Sequence, residues 1–248
     1  MGSDISIKIG WSNEVPVDMS QDFLDIENQV FGGFFTQSLF ERKYSNNIYG
    51  PSVLVVAYRE GKPVGADALW RNDVMGTKAY QSADTCVLKS CRGMGVFTKM
   101  VDAKLSFIQS DSLVYGFPNS NSLPGFVKMG WSVVKLYKTL SFVSMPKEKC
   151  CIEDSYCGWW FQPRPEITYM KRQGNYYLVR KQKGKQVGTI LGKVERKTAL
   201  LFNKTSRMVP LIYFSPRPSF YNKSKFISVI FAKDSNTLDV PYWKIDAI

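Results

Sequence analysis

The spacing of apolar residues changes along the chain, and each change marks an element. Ser3 to Ile9 alternates polar and apolar positions, the period of a strand with one buried face. From Ser20, an N-cap residue type, QDFLDIENQVF brings Phe23, Ile26, Val30 and Phe31 to one side of a helix that Gly32-Gly33 should end. A second helix is expected over about Thr36 to Tyr44. SVLVVAYREGKPVGADALWRNDV then reads as two strands joined by Arg59-Glu60-Gly61-Lys62, a hairpin signature. A central strand, Ala79 to Leu88, leads through a glycine-containing turn into VFTKMVDAKLSFI. That helix should bury Phe97, Met100, Val101, Leu105 and Ile108. SLVYGFP follows as a short strand, so the whole unit reads as a right-handed crossover. Trp131 to Val143 reads as further strand completing the sheet.

The pattern breaks at Met145-Pro146-Lys147-Glu148-Lys149-Cys150-Cys151 and again at Pro163-Arg164-Pro165. This places a domain boundary between residues 143 and 144, giving a first domain over 1–143 and a basic α+β domain over 144–248. The second half echoes the first: Gly61-Lys62-Pro63-Val64-Gly65 recurs as Gly184-Lys185-Gln186-Val187-Gly188, each after a strand-like run. A duplicated hairpin is one reading of the echo, and the ordinary use of Gly-Lys in turns is the other. LIYFS and FISVIFAK add late strands.

With 248 residues, 44% of them hydrophobic, the chain has ample material for a core. No apolar run approaches the ~20 residues of a membrane-spanning helix, and MGSDISIKIG lacks the layout of a signal peptide, so a cytoplasmic location is expected. The net charge of +12 is uneven. Residues 1–140 hold 14 Lys and Arg against 13 Asp and Glu, whereas 141–248 hold 19 against 8, or +1 and +11. That asymmetry suits either an anionic partner at the second half or a surface that keeps the chain in solution. Five cysteines, Cys86, Cys91, Cys150, Cys151 and Cys157, show no disulfide-scaffold spacing and no C-x-x-C pair, and no metal site is expected. The absence of histidine removes every Ser/His and Cys/His device, and acid–base work falls to carboxylates, tyrosines, lysines or water.

The turn Lys89-Ser90-Cys91-Arg92-Gly93-Met94-Gly95 carries the clearest chemistry. Glycines between a strand and a helix leave room for an anion to approach the unpaired N–H groups opening the helix, and Arg92 adds a fork of charged donors. Downstream, Asn119, Ser122, Phe126, Gly130 and Trp131 fall at intervals of three, four, four and one, which puts the first four on one helical face.

Together these stretches, over roughly the first 140 residues, resemble the GCN5-related N-acetyltransferase superfamily. Its acetyl-CoA site pairs (Q/R)-x-x-G-x-G/A with N-x-x-(A/S)-x-x-x-Y-x-x-x-G-(F/W), and YGFPNSNS looks most like acetyltransferases of bacterial surface-polysaccharide gene clusters. The resemblance implies a mixed, mostly antiparallel central sheet flanked by helices; if the second, smaller α+β unit is itself a degenerate repeat of that fold, it has lost the cofactor cradle. It also implies that backbone of Cys86, Val87 and Leu88 pairs with the pantetheine arm, and that backbone of Arg92, Gly93, Met94, Gly95 and Val96, beside Phe97, holds the pyrophosphate. Asn119, Ser122 and Phe126 would sit near the pantetheine and thiol, and Phe34 and Phe35 near the acceptor unless they serve as core. Two positions depart from the pattern. Ser90 replaces the Gln/Arg, and Phe126 replaces a tyrosine proposed to protonate the leaving thiolate.

The implied reaction is direct attack of a primary amine on acetyl-CoA, with a nucleotide-linked amino sugar as the expected acceptor. Asp84, in the central strand on the face expected for Ser82 and Cys86, is the candidate general base; Asp67 or a water chain is the alternative. Two further readings stay open. One is a non-catalytic protein that binds acetyl-CoA, or an acidic polymer through its basic half. The other is an aminoacyl-tRNA-dependent transferase with a doubled fold; nucleic acid is otherwise not the expected partner.

Overall fold

A computed structural model describes residues 4–108, 112–141, 151–181, 187–205, 211–215 and 226–232. In its first half the hydrophobic runs become β1 (Ile5–Trp11), α1 (Val17–Phe31), α2 (Gln37–Phe40) with a π-helical turn at Glu41–Ser45, β2 (Val53–Arg59), β3 (Lys62–Arg71), β4 (Ala79–Val87), α3 (Val96–Phe107), β5 (Leu113–Gly116) and α4 (Leu123–Lys128). The strands lie in the order β1-β2-β3-β4-β5. All neighbours are antiparallel except β4 and β5, which α3 joins as parallel strands. In the hairpin turn, Glu60 and Gly61 both have positive φ, 53° and 75°, the pair of values that a two-residue type I′ connection demands.

β2 reads VLVVAY without alternation because helices cover both sides. α3 packs over β1, β2 and β3, and Val96, Met100 and Val101 meet Val53, Val55, Val64 and Leu69 there. On the other side α1 packs over β2, β3 and β4 with Phe23 buried against Phe40 and Tyr44 in edge-to-face contacts. α1 starts at Val17, after Pro16, rather than at Ser20, whose N–H bonds the Pro16 carbonyl inside the first turn. It ends as expected at Gly32, φ 91°.

The chain divides into two compact units: Met1–Val133 with Val229–Leu238, and Val134–Ser228 with Asp239–Ile248. The sequence-based boundary lies ten residues later, at 143/144. The late return of the chain explains why sequence order cannot show the division, since Phe231 and Ile230 pair antiparallel with Tyr115 and Gly116. The second unit contains β6 (Ser132–Ser141), α5 (Asp154–Tyr156) running into a π-helical turn at Cys157–Phe161, β7 (Ile167–Arg172), β8 (Asn175–Lys181), β9 (Gly188–Val194), α6 (Arg196–Ala199), β10 (Asn203–Lys204) and β11 (Leu211–Ser215). β12 (Phe226–Phe231) is the last strand, and from Val229 on it belongs to the first unit. β7, β8 and β9 form an antiparallel meander, and β11 runs antiparallel to β6. Ile167, Leu178, Leu191, Val194 and Phe161 are buried in this unit. β8 and β9 flank the echoed Gly-Lys sequence, but residues 182–186 lie outside the described residues, as do most of the 145–151 break and the C-terminal DVPYWKIDAI.

Candidate functional site

Pairing between β4 and β5 ends at Ser82↔Gly116, while β4 continues to Val87 and the glycine turn. A cleft of about 480 Å³ opens along this stretch of the first unit. Its walls come from the end of β4, the glycine turn and the start of α3, the segment Asn119–Ser122, and Val30 and Phe31 at the end of α1. Gly93 and Gly95 hold φ values of 79° and 77°, a left-handed geometry that any Cβ would strain. An added Cβ would meet nothing within 4 Å at either glycine, so the space over the turn is open. Gly95 is the N-cap of the twelve-residue α3 and contributes no side chain, which leaves the first-turn N–H groups without a side-chain cap beside the cleft. This donor set fits a pyrophosphate-bearing ligand such as acetyl-CoA.

Of the sequence-expected cofactor residues, Cys86, Val87, Arg92, Gly93, Gly95, Val96, Phe97, Asn119 and Ser122 border this one cleft. Arg92 folds back, its Nε donating to the Val87 carbonyl at 3.2 Å. Asn119 accepts from the N–H groups of Asn121 and Ser122 through Oδ1, at 2.9 and 3.0 Å, so it also fixes the entry to α4. Met94, Leu88 and Phe126 do not line it. Met94 is exposed against Arg59, and Leu88 is half-buried in the core with its N–H on the Val64 carbonyl. Phe126 is buried between Phe97 and Trp131, at ring separations of 5.0 and 4.7 Å. The helix carrying Phe126 spans only Leu123–Lys128, shorter than the motif's spacing implied; Gly130, φ 85°, lies beyond it. Gly125 lets α4 approach, since a Cβ there would fall 2.7 Å from the Phe97 ring.

Asp84 departs from simple alternation. Ala66 pairs with Cys86 and Ala68 with Ala83, so two residues of β4, Asp84 and Thr85, oppose the single residue Asp67. Asp84 takes φ 52° within this bulge. The extra residue turns the Asp84 carboxylate toward the α1 side, where Cys86 also points, while Ser82 faces α3; the shared face expected for all three holds for only two. Lys43 Nζ donates to Asp84 Oδ2 at 2.6 Å and Tyr44 Oη donates to the same oxygen. Oδ1 makes no hydrogen bond within the described residues. Lys43 is itself enclosed by Trp70, Tyr44 and Phe35, with ring centroids 5.2, 5.4 and 5.7 Å from Nζ.

Glu27 of α1 is 3% exposed and accepts the Cys86 thiol proton across 3.1 Å. Burial first, then the neighbouring Asp84 charge, push its carboxyl up to about 9, so it carries a proton at neutral pH. Burial and Glu27 push the Cys86 thiol up as well, which keeps it from being a thiolate nucleophile. Beneath the α3 face, Lys104 Nζ lies 2.5 Å from Asp67 Oδ1 and 2.8 Å from Ser82 Oγ, and Thr85 Oγ1 donates to Asp67 Oδ1 at 2.7 Å. The ion pair is fully buried; burial raises the Asp67 carboxyl and lowers the Lys104 ammonium, and each partner opposes the other's shift.

Sequence reasoning missed Glu27, Lys43, Tyr44 and Lys104. A signal existed for two of them, because Glu27 interrupts the apolar stripe after Phe23 and Lys104 that after Met100 and Val101, each on an inward-facing position. Lys43 and Tyr44 gave none, since the π-helical turn that aims them has no spacing rule. Among the described residues no three His, Cys, Asp or Glu side chains come together as a metal site, and no helix is long and apolar enough to cross a membrane.

No protein-family model matches the sequence, and no curated protein matches it. Solved structures do. The chain is similar to a GCN5-related N-acetyltransferase from Kribbella flavida, with a TM-score of 0.57 and 8% identity over 92% of this chain and 71% of that one. It also matches Escherichia coli ElaA (TM-score 0.43, 14% identity, 54% of this chain and 92% of that one). A third match is glucosamine-6-phosphate N-acetyltransferase from Arabidopsis thaliana (TM-score 0.40, 19% identity, 58% and 99%). The α+β fold is that of the GCN5-related N-acetyltransferases, and the Kribbella match runs through the second unit as well as the first.

Proposed function

We propose that the protein transfers an acetyl group from acetyl-CoA to a small primary amine by direct attack. The observation that carries this reading is the single cleft that joins the uncapped glycine turn to the bulged end of β4. Acetyl-CoA supplies the activated acetyl group. Backbone N–H groups from Gly93 to Val96 would hold its pyrophosphate, and the β4 edge at Cys86 and Val87, beyond the last β5 pair at Ser82, would offer peptide groups to the pantetheine arm.

Asp84 is our candidate for the proton acceptor. Lys43 and Tyr44 both engage Oδ2 and fix the carboxylate, which leaves Oδ1 to take the proton of an incoming ammonium or of the attacking amine. Catalysis then rests on orientation and on a positioned base, without an acyl-enzyme. The acceptor we put forward is a nucleotide-linked amino sugar, an anionic substrate in keeping with the chain's net charge of +12.

The test is release of CoA thiol when the purified protein is mixed with acetyl-CoA and a UDP-linked amino sugar. Amine-dependent release with formation of the N-acetyl sugar is expected. Tight acetyl-CoA binding without release to this amine would reject the proposed acceptor, and no acetyl-CoA binding would reject the transferase reading.

A further inference from the structure

Two cations, Arg92 and Lys128, border the cleft, and among the described residues no carboxylate does. They come from different elements. Arg92 is held on the β4 side of the glycine turn, where its Nε donates to the Val87 carbonyl at 3.2 Å. Lys128 is the last residue of α4. One turn before it, Gly125 lets α4 approach α3, since a Cβ there would fall 2.7 Å from the ring of Phe97, the second residue of that helix. Residues three apart share a side of a helix, so Lys128 is carried on the side of α4 that meets the first turn of α3. Exposed Thr98 borders the cleft at that same turn.

Lys128 has no acidic partner of its own. The sequence holds no Asp or Glu between Asp111 and Glu148, so α4 offers none at helical spacing. The side chain is exposed, and among the described residues no ion pair or hydrogen bond engages it. A ligand can therefore take this ammonium without first breaking a contact. CoA is a linear ligand, with the thioester at one end, the pyrophosphate in the middle and a 3′-phosphoadenosine at the other. With the thioester toward the bulged end of β4 and the pyrophosphate over the glycine turn, the remaining part of the ligand is directed past the start of α3, toward Thr98 and Lys128. The 3′-phosphate is a monoester with a charge of about −1.5 to −2 at neutral pH, and a compact ammonium with three rotatable donors suits it.

We propose that Lys128 reads the 3′-phosphate of CoA and so selects free CoA thioesters as donors. This rests on the transferase reading above. The donors it disfavours are 3′-dephospho-CoA thioesters and acyl groups on a carrier protein's phosphopantetheine arm, which bears no 3′-phosphoadenosine. Arg92, beside the turn, strengthens binding of every donor that carries the pyrophosphate and does not discriminate between CoA and its dephospho form. Lys128 is a specificity residue and takes no part in the chemistry at the thioester.

The experiment is isothermal titration of the unsubstituted protein, Lys128→Met, Lys128→Arg and Arg92→Met with acetyl-CoA and with acetyl-3′-dephospho-CoA, at low salt. The unsubstituted protein should bind acetyl-CoA about 10-fold more tightly than the dephospho form, a preference that shrinks as salt rises. Lys128→Met should bind both ligands with the affinity the unsubstituted protein shows for the dephospho form, and Lys128→Arg, which keeps the charge, should retain the preference. Arg92→Met should weaken both ligands by a similar factor. Thermal unfolding checks that each variant is folded. Equal affinities in the unsubstituted protein, a preference that survives Lys128→Met, or a Lys128→Met loss shared by both ligands would overturn the assignment while leaving the transferase reading intact. Binding of neither ligand by the unsubstituted protein overturns that reading and the assignment with it.

Discussion

Lys43 Nζ stands 2.6 Å from Asp84 Oδ2, joining a buried ammonium from a π-helical turn to a carboxylate that a β-bulge has rotated out of strand alternation. Two irregular pieces of backbone thus make one ion pair. Neither would be expected from local preference, and an aspartate at φ 52° carries a local strain that the surrounding contacts must offset.

Replacing Asp84 by Asn separates chemistry from stability. The variant keeps a residue tolerant of positive φ but strands the Lys43 charge, and its stability to denaturant should fall by about 3 kcal/mol. Its kcat should fall at least about 100-fold. Adding Lys43→Met removes the stranded charge, so the double variant should regain most of the stability and none of the turnover. Recovery of turnover would contradict the role given to Asp84.

Glu27 makes stability depend on pH. Its folded-state value, about 9, lies above the ordinary carboxyl value of 4.5, so across that interval the folded chain holds a proton that the unfolded chain has released. The contribution is fully present below about pH 4.5 and is lost progressively as pH rises through about 9. The melting temperature should therefore decline between pH 6 and 9, and Glu27→Gln should flatten that decline. Parallel profiles for the two proteins would show that Glu27 is ionised in the fold.

Lys104 tests the buried pair beneath α3. Lys104→Met alone leaves Asp67 buried without its cation and should cost about 3–5 kcal/mol, measured by denaturant unfolding. Combining it with Asp67→Asn should restore much of the loss. The Asp67–Thr85 bond connects this pair to the cleft wall, so the single variant should also weaken acetyl-CoA binding.

The helices and strands of the first unit were largely legible because their apolar periods are undisturbed, and the glycine turn was legible because its chemistry is local. The place of Asp84 in β4 could be read from the sequence, but its orientation could not: a single extra residue between Ala83 and Cys86 reverses which face a side chain takes, and composition does not mark where a bulge falls. Lys43 and Tyr44 meet Asp84 across 41 and 40 residues. Contacts of that kind come from the packing of the α2 segment on the sheet. Phe126 shows the opposite limit. A motif position implied a place beside the thiol, whereas the aromatic cluster of Phe97 and Trp131 takes the ring into the core.

That packing makes its own prediction. Phe126→Tyr introduces a hydroxyl into an apolar cluster and should destabilise the protein by about 1–3 kcal/mol. Because the ring is outside the cleft walls, kcat should stay level. A rise in kcat would show that residue 126 reaches the reacting sulfur.

The central claim is that the glycine turn and the β4 edge hold acetyl-CoA, and isothermal titration tests it most directly. The unsubstituted protein should bind acetyl-CoA with micromolar affinity. Gly93→Glu combines a strained positive φ with a carboxylate facing the pyrophosphate, and should weaken binding by at least about 100-fold. Equal affinity in the two proteins, or no binding by the unsubstituted one, would contradict the site.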